Sequence, residues 1–318
     1  MNADKHGAKG NNVIRKLAPP LIGLALLLAA CAPSATSTAA PTGKLHVVAT
    51  FSVLGDLVRN VGGDPIELTV LVGADSDTHT FEPSPADSAA LVNAGVIFEN
   101  GVEFEGWLDD LYASSGSQAT RVVVTNGLQL RHAENDPHHA EFDPHAWHDV
   151  KNAIRMVDHI RDALVKADAA NASAYQSNAA DYAAQLEQLD RFIVDQVHGL
   201  PEARRKLVTT HDALGYFADR YGFEIAGTAL ASASTEAADP SAGQIAKLVD
   251  EIKATGVKAV FVENVSNVDL MSRIAAEAGV VLGPELFTDA LSKPGTDGDT
   301  YIKMIRHNAL AIISALSQ

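Results

Sequence analysis

With one cysteine in 318 residues, Cys31, the chain excludes an internal disulfide. Basic residues are also scarce: 24 Lys and Arg stand against 40 Asp and Glu, a formal net charge of −16. No basic stripe interrupts this acidic surface, so a nucleic-acid partner is excluded. Beyond residue 30 no hydrophobic run is long enough to cross a bilayer. The His-Glu-x-x-His run of many zinc hydrolases is missing as well.

The N-terminus carries what the rest lacks. Lys5, Lys9, Arg15 and Lys16 form a positive region before a short apolar stretch, Leu17 to Ala30, broken by Pro19 and Pro20. Residues 1–31 therefore read as an export signal. Its end, Leu28-Ala29-Ala30-Cys31, resembles the bacterial lipoprotein cleavage box. Cys31 is expected to become a lipidated N-terminus, the alternative being a small buried thiol. Residues 32–43 are low in complexity, show no apolar period and read as a flexible tether. Cleavage before Cys31 leaves 20 Lys/Arg against 39 Asp/Glu, a formal charge of −19. The remaining 288 residues suffice for two modest domains with their own cores.

From Leu45 strand-like and helix-like segments alternate. Leu45 to Phe51, Ile66 to Val72, Val96 to Asn100 and Arg121 to Thr125 are strand-like, and Gly62-Gly63 stops the first helical pattern. The pattern restarts after Leu200-Pro201, with strands at Leu207 to Thr210, Ile225 to Leu230, Ala259 to Glu263 and Val280 to Leu286. Helical patterns fill Ala213–Tyr221, Ser241–Ala254, Val268–Ala278 and Tyr301–Ala315. This alternation predicts an α/β fold of two similar lobes with mostly parallel sheets. Between them Tyr175, Ala179, Tyr182, Leu186, Leu189, Ile193 and Val197 make one apolar stripe on a single helix, from about Ser173 to His198. The expected divisions are a lobe at 44–172, a connecting helix at 173–199 and a second lobe at 200–318. A helical connector predicts restricted motion between lobes.

Four separated segments each place a good metal ligand beside turn or strand-end residues: His79, His145, His211 and Asp289. Three imidazoles and a carboxylate form a complete tetrahedral set for a divalent transition metal. A set with four protein ligands has no free position for a reacting water, so it favours holding an ion over chemistry. Each residue alone is weak evidence, since a loop imidazole needs no role beyond solvation. Trp147 can wall off water, and Asp149 or Asn152 could orient His145. His148 is an alternative ligand. His132, His138, His139, His145 and His148 lie among acidic residues, as a mobile collector of metal or as an exposed polar loop.

Seven stretches, in order along nearly the whole chain after Cys31, give a resemblance to a known family. They are His79 through Pro85, Asn100 through Leu108, Asp143 through Trp147, His211 through Phe217, Glu236 through Gln244, Phe261 through Glu263 and Phe287 through Ser292. The chain resembles the zinc- and manganese-binding lipoproteins that feed ABC importers, metal-binding solute-binding protein family 9. The resemblance implies two lobes joined by one long helix, with His79, His145, His211 and Asp289 holding the metal between them. It departs from the family at Thr78, where a proline is common, and at His148 and Val150, where Leu and Pro are usual. It also implies an extracytoplasmic, lipid-anchored monomer that serves an ABC permease and is not an enzyme. Zn²⁺ is the expected cargo and Mn²⁺ the alternative: manganese-favouring members carry a carboxylate where this chain has His211, and the histidine-rich segment resembles that of zinc-specific members. Two other functions remain open. A zinc hydrolase would need a base such as Glu236 or Glu263 beside a bound water, and a surface adhesin would need a receptor site that no residue encodes.

Overall fold

A computed structural model describes residues 43–133, 141–230, 232, 234–235 and 240–318. The export signal, Cys31 and nearly all of the tether lie outside the described residues, as do His138, His139 and Glu236.

Four strands, β1 (Leu45–Phe51), β2 (Ile66–Val72), β3 (Val96–Glu99) and β4 (Thr120–Val123), form a wholly parallel sheet in the order β2-β1-β3-β4. Parallel neighbours need crossovers, here α1 (Ser52–Gly62), α2 (Pro85–Asn93) and α3 (Leu108–Ser115). Covered on both faces, the central strands are buried without alternation: Val47 to Phe51 and all of β3 are inside, Thr50 and Glu99 included.

The second half repeats the plan with shorter strands. β5 (Lys206–Thr209) pairs in parallel with β6 (Glu224–Thr228), and β7 (Ala259–Val260) with β8 (Val281–Leu282). A hydrogen bond from Phe261 N to Val208 O, 2.9 Å, joins the two pairs. α6 (Gly215–Tyr221), α7 (Ala242–Thr255), α8 (Val268–Ala278) and α9 (Tyr301–Leu316) cover them. The strands expected over Ala259–Glu263 and Val280–Leu286 pair regularly only at their first residues. Beyond these a single bridge, Glu263 to Leu286, carries the register into the loops.

Two helices separate the halves along the chain. α4 (Val150–Ala167) buries Val150, Ala153, Met156, Val157, Ile160 and Leu164 at three- and four-residue spacing, with Asp149 accepting from Lys151 N at its start. α5 (Ala172–His198) is the long helix expected from the apolar stripe, and the seven stripe residues are all buried. Its buried face belongs to one hydrophobic cluster that also contains Val47 and Phe98 of the first half and Leu207, Phe217 and Leu286 of the second. Asp56 of α1 fastens this centre: it accepts from Tyr301 N at 3.0 Å, capping α9, and stands 3.4 Å from Tyr182 Oη.

Candidate metal centre

His79 follows β2 in a loop closed at its far end by a capping box, in which Ser84 N donates to Asp87 Oδ2 at 2.7 Å and Pro85 opens α2. Asp77 accepts from His79 N at 2.9 Å and from Thr235 Oγ1, while Asp75 N donates to Leu291 O at 2.8 Å. The loop is thus tied to the second half of the chain. His145 stands well past β4, at the start of a short 3₁₀ turn, Ala146–His148, which leads into α4. His211 lies just beyond β5, but it does not open a helix as its sequence context suggests. Ala213 N turns back to His211 O at 3.0 Å, Thr209 Oγ1 donates to the same carbonyl at 2.8 Å, and α6 begins only at Gly215. Asp289 follows the Glu263–Leu286 bridge.

The fold brings these four side chains together: one potential ligand atom from each lies within 4.8 Å of the others. Asp289 is the hub. Its Oδ1 is 3.4 Å from His145 Nε2, and its Oδ2 is 3.2 Å from His211 Nε2 and 3.7 Å from His79 Nε2. Tetrahedral ligands at the usual zinc bond lengths of ~2.0–2.2 Å sit ~3.3–3.6 Å from one another, so the separations of Asp289 from the three imidazoles are close to those around a central ion.

Two of the outer ring nitrogens are held by carboxylates. Asp143 Oδ1 lies 2.7 Å from His145 Nδ1, and Glu263 Oε2 contacts His211 Nδ1. An ionised carboxylate can only accept, so each ring carries its hydrogen on Nδ1 and turns Nε2 inward. The three Nε2 atoms and both Asp289 oxygens are buried and accept or receive no hydrogen bond from a protein group. Imidazole nitrogens turned towards a carboxylate in a dry site would be satisfied together by one cation, with any proton on them displaced. Asp143 orients His145, in place of Asp149 or Asn152. Asp149 is occupied as the cap of α4.

Charge is arranged to the same end. Burial pushes the Asp289 carboxyl up, but His211, His145 and His79 outweigh it and hold the group well below the ordinary range. Burial, helped by the neighbouring imidazoles, lowers His79 to about 3, which keeps it neutral. Burial lowers His211 too, but Glu263 and Asp289 on either side win and hold it well above an ordinary imidazole. A metal bound at His211 Nε2 would have to displace the proton there.

Aromatic groups seal the pocket. Phe104 stands 4.8 Å from the His79 ring, and Trp147 5.3 Å from that of His145, centroid to centroid. Phe104 is delivered by a left-handed turn in which Gly101, Val102 and Glu103 have φ of 79°, 57° and 59°. Such a run is strained for valine. Buried Glu105 holds it, accepting from Thr50 Oγ1, Asn100 N and Gly101 N at 2.6, 2.8 and 3.1 Å. Trp147 Nε1 donates to Thr288 O at 3.0 Å, locking it beside Asp289. His148 is fully buried but is not among the four converging residues. His132 forms a bridge with Phe142 at the base of its loop.

Two parallel α/β lobes around a long helix, with a buried three-imidazole, one-carboxylate cluster, define a metal-binding solute-binding protein. The chain belongs to the family described as zinc-uptake complex component A, periplasmic, whose family model matches residues 47–315. It is 35% identical over 295 residues to the manganese-binding lipoprotein MntA of Halalkalibacterium halodurans, covering 93% of this chain and 96% of that one. It is 30% identical over 298 residues to the iron ABC transporter substrate-binding lipoprotein MtsA of Streptococcus pyogenes, covering 92% and 95%. Among solved structures it matches the periplasmic zinc-binding protein TroA of Treponema pallidum with a TM-score of 0.80 and 31% identity, over 87% of this chain and all of that one. The family consists of solute-binding proteins that serve ABC transporters, not enzymes. The relatives' names span manganese, iron and zinc, so kinship alone leaves the cargo a divalent metal without choosing one.

Proposed function

We propose that His79, His145, His211 and Asp289 ligate one divalent transition metal, that Zn²⁺ is preferred to Mn²⁺, and that the chain hands it to an ABC import permease. The observation that carries this reading is the convergence of the four buried donors. Nitrogen-rich sets raise affinity from Mn²⁺ towards Zn²⁺, and zinc accepts four-coordination without penalty. Manganese is the second reading. It is favoured by Asp289, which turns one oxygen to His145 and the other to His211 and His79 and could bind through both.

The proposed divisions are lobes at 44–172 and 200–318 with the helix 173–199 between them. Lipid on Cys31 would hold a monomer at the outer face of the membrane through the tether 32–43. Elemental analysis of protein purified without added metal, followed by calorimetric competition, tests the cargo. Tighter binding of Mn²⁺ than of Zn²⁺ would overturn the preference, and less than one bound metal per chain would overturn the site.

A further inference from the structure

The carboxylate that backs His145 and the carboxylate next in sequence to His211 converge on a residue the binding site does not need as a ligand. Arg131 follows β4 in the first half of the chain, and its guanidinium lies over the start of α6 in the second. Nη1 is 3.4 Å from Asp143 Oδ2 and 3.6 Å from Asp212 Oδ2, and Nε is 3.3 Å from Asp219 Oδ2. Asp143 uses its other oxygen on His145, while Asp212 is the chain neighbour of His211. Arg131 therefore sits between two carboxylates, one beside each histidine and one from each half.

Two further features fix it there. Tyr216 Oη accepts from Arg131 N at 2.8 Å and donates to Asp143 O at 2.9 Å, so a side chain of α6 stitches together the two bridged segments that carry Arg131 and Asp143. Gly215 supplies the room: a Cβ there would lie 2.3 Å from Arg131 Nη1 and 2.6 Å from its Cζ. Asp143 and Asp212 face each other across the seam with the guanidinium between them, both within 3.6 Å of Arg131 Nη1.

We infer that Arg131 is a clasp: by neutralising Asp143 and Asp212 across the seam it holds the two halves together around His145 and His211 and so sets the rate of metal release. It is a positioning residue that touches no cargo. Without it the two carboxylates repel across the seam, and the side of the site made by His145 parts from the side made by His211. A planar fork with several fixed donors suits this post; an ammonium reaches fewer partners at once. The inference rests on His145 and His211 being ligands.

The test uses the full chain loaded with Zn²⁺ and follows metal loss into excess chelator. Arg131→Gln and Gly215→Ala should each speed release by about tenfold, a coupling of the size found between contacting residues. Gly215→Ala alters no charge and reaches Arg131 by volume alone. The double variant should release no faster than either single one, because both remove the same clasp. Arg131→Lys should fall between parent and Arg131→Gln, and Asp219→Asn, at the exposed end, should match the parent. The metal-free melting temperature of Gly215→Ala should be unchanged. Parental release from Arg131→Gln, or multiplied effects in the double variant, overturns the clasp. If Asp289→Ala keeps parental zinc affinity, the metal site itself is wrong, whatever the Arg131 variants do.

Discussion

At the scale of single residues, the site is layered: His145 rests on Asp143 behind it and His211 on Glu263. Replacing Glu263 by Gln removes the charge that polarises His211 while nearly keeping the shape. Partners of this kind are worth about 10–100-fold in metal affinity, so Glu263→Gln should weaken zinc binding by about that much in a competition titration. His148 gives a separate pH prediction. Burial, with His145 nearby, lowers it to about 3. The unfolded chain protonates this residue near its ordinary ~6.5 while the folded chain does not, so the unfolded state binds more protons between those values and stability falls as pH drops through that window. His148→Leu should remove this contribution. Below pH 6 its metal-free melting temperature should fall less steeply with acidity than the parent's, and parallel curves would refute the assignment. The four candidate ligands were legible from their type and company, and the resemblance sharpened them. Their outer partners were not. Asp143 lies two residues from His145 and could have been suspected as a local acceptor, but Glu263 reaches His211 from 52 positions away. No local pattern encodes that contact.

At the scale of elements, periodicity was a dependable guide where one face is buried. The stripe from Tyr175 to Val197 matches α5, and β1 and β2 begin and end where their β-branched runs do. The same rule marks α4, whose buried residues recur at helical spacing behind an Asp149 cap. The short strands of the second half were overextended for a different reason. After their first residues the chain leaves the ladder to present Glu263 and Asp289, and function breaks the β pattern there. α5 should also be energetically central. Leu186 is fully buried in a cluster drawn from both halves, so Leu186→Ala should cost about 2–5 kcal/mol in denaturant unfolding. Because that cluster is shared, the loss should appear in a single transition. Two separated transitions would show that the halves fold independently.

At the scale of the whole molecule, metal should act as a stabiliser, since the assembled cluster exists only in the folded chain. Zinc at 100 times its dissociation constant should add about 2.7 kcal/mol and raise the melting temperature accordingly. Asp289→Ala should abolish that rise while leaving the metal-free fold intact. At the other end of the chain, Cys31→Ser should be mis-processed or released from membranes, and normal processing with membrane retention would refute lipidation.

The closed environment of the cluster carries a kinetic consequence. His145, His211 and Asp289 have no exposed surface, and Phe104 and Trp147 stand over the histidines. A scavenger in solution cannot reach an ion held there and must wait for the protein to yield it. Loss of metal should therefore become zero order in scavenger: raising the chelator should accelerate release only up to a plateau set by the protein's own opening. The molecule would then behave as a clock as well as a carrier, with a dwell time written into its packing and shortened only by a partner able to pull the halves apart.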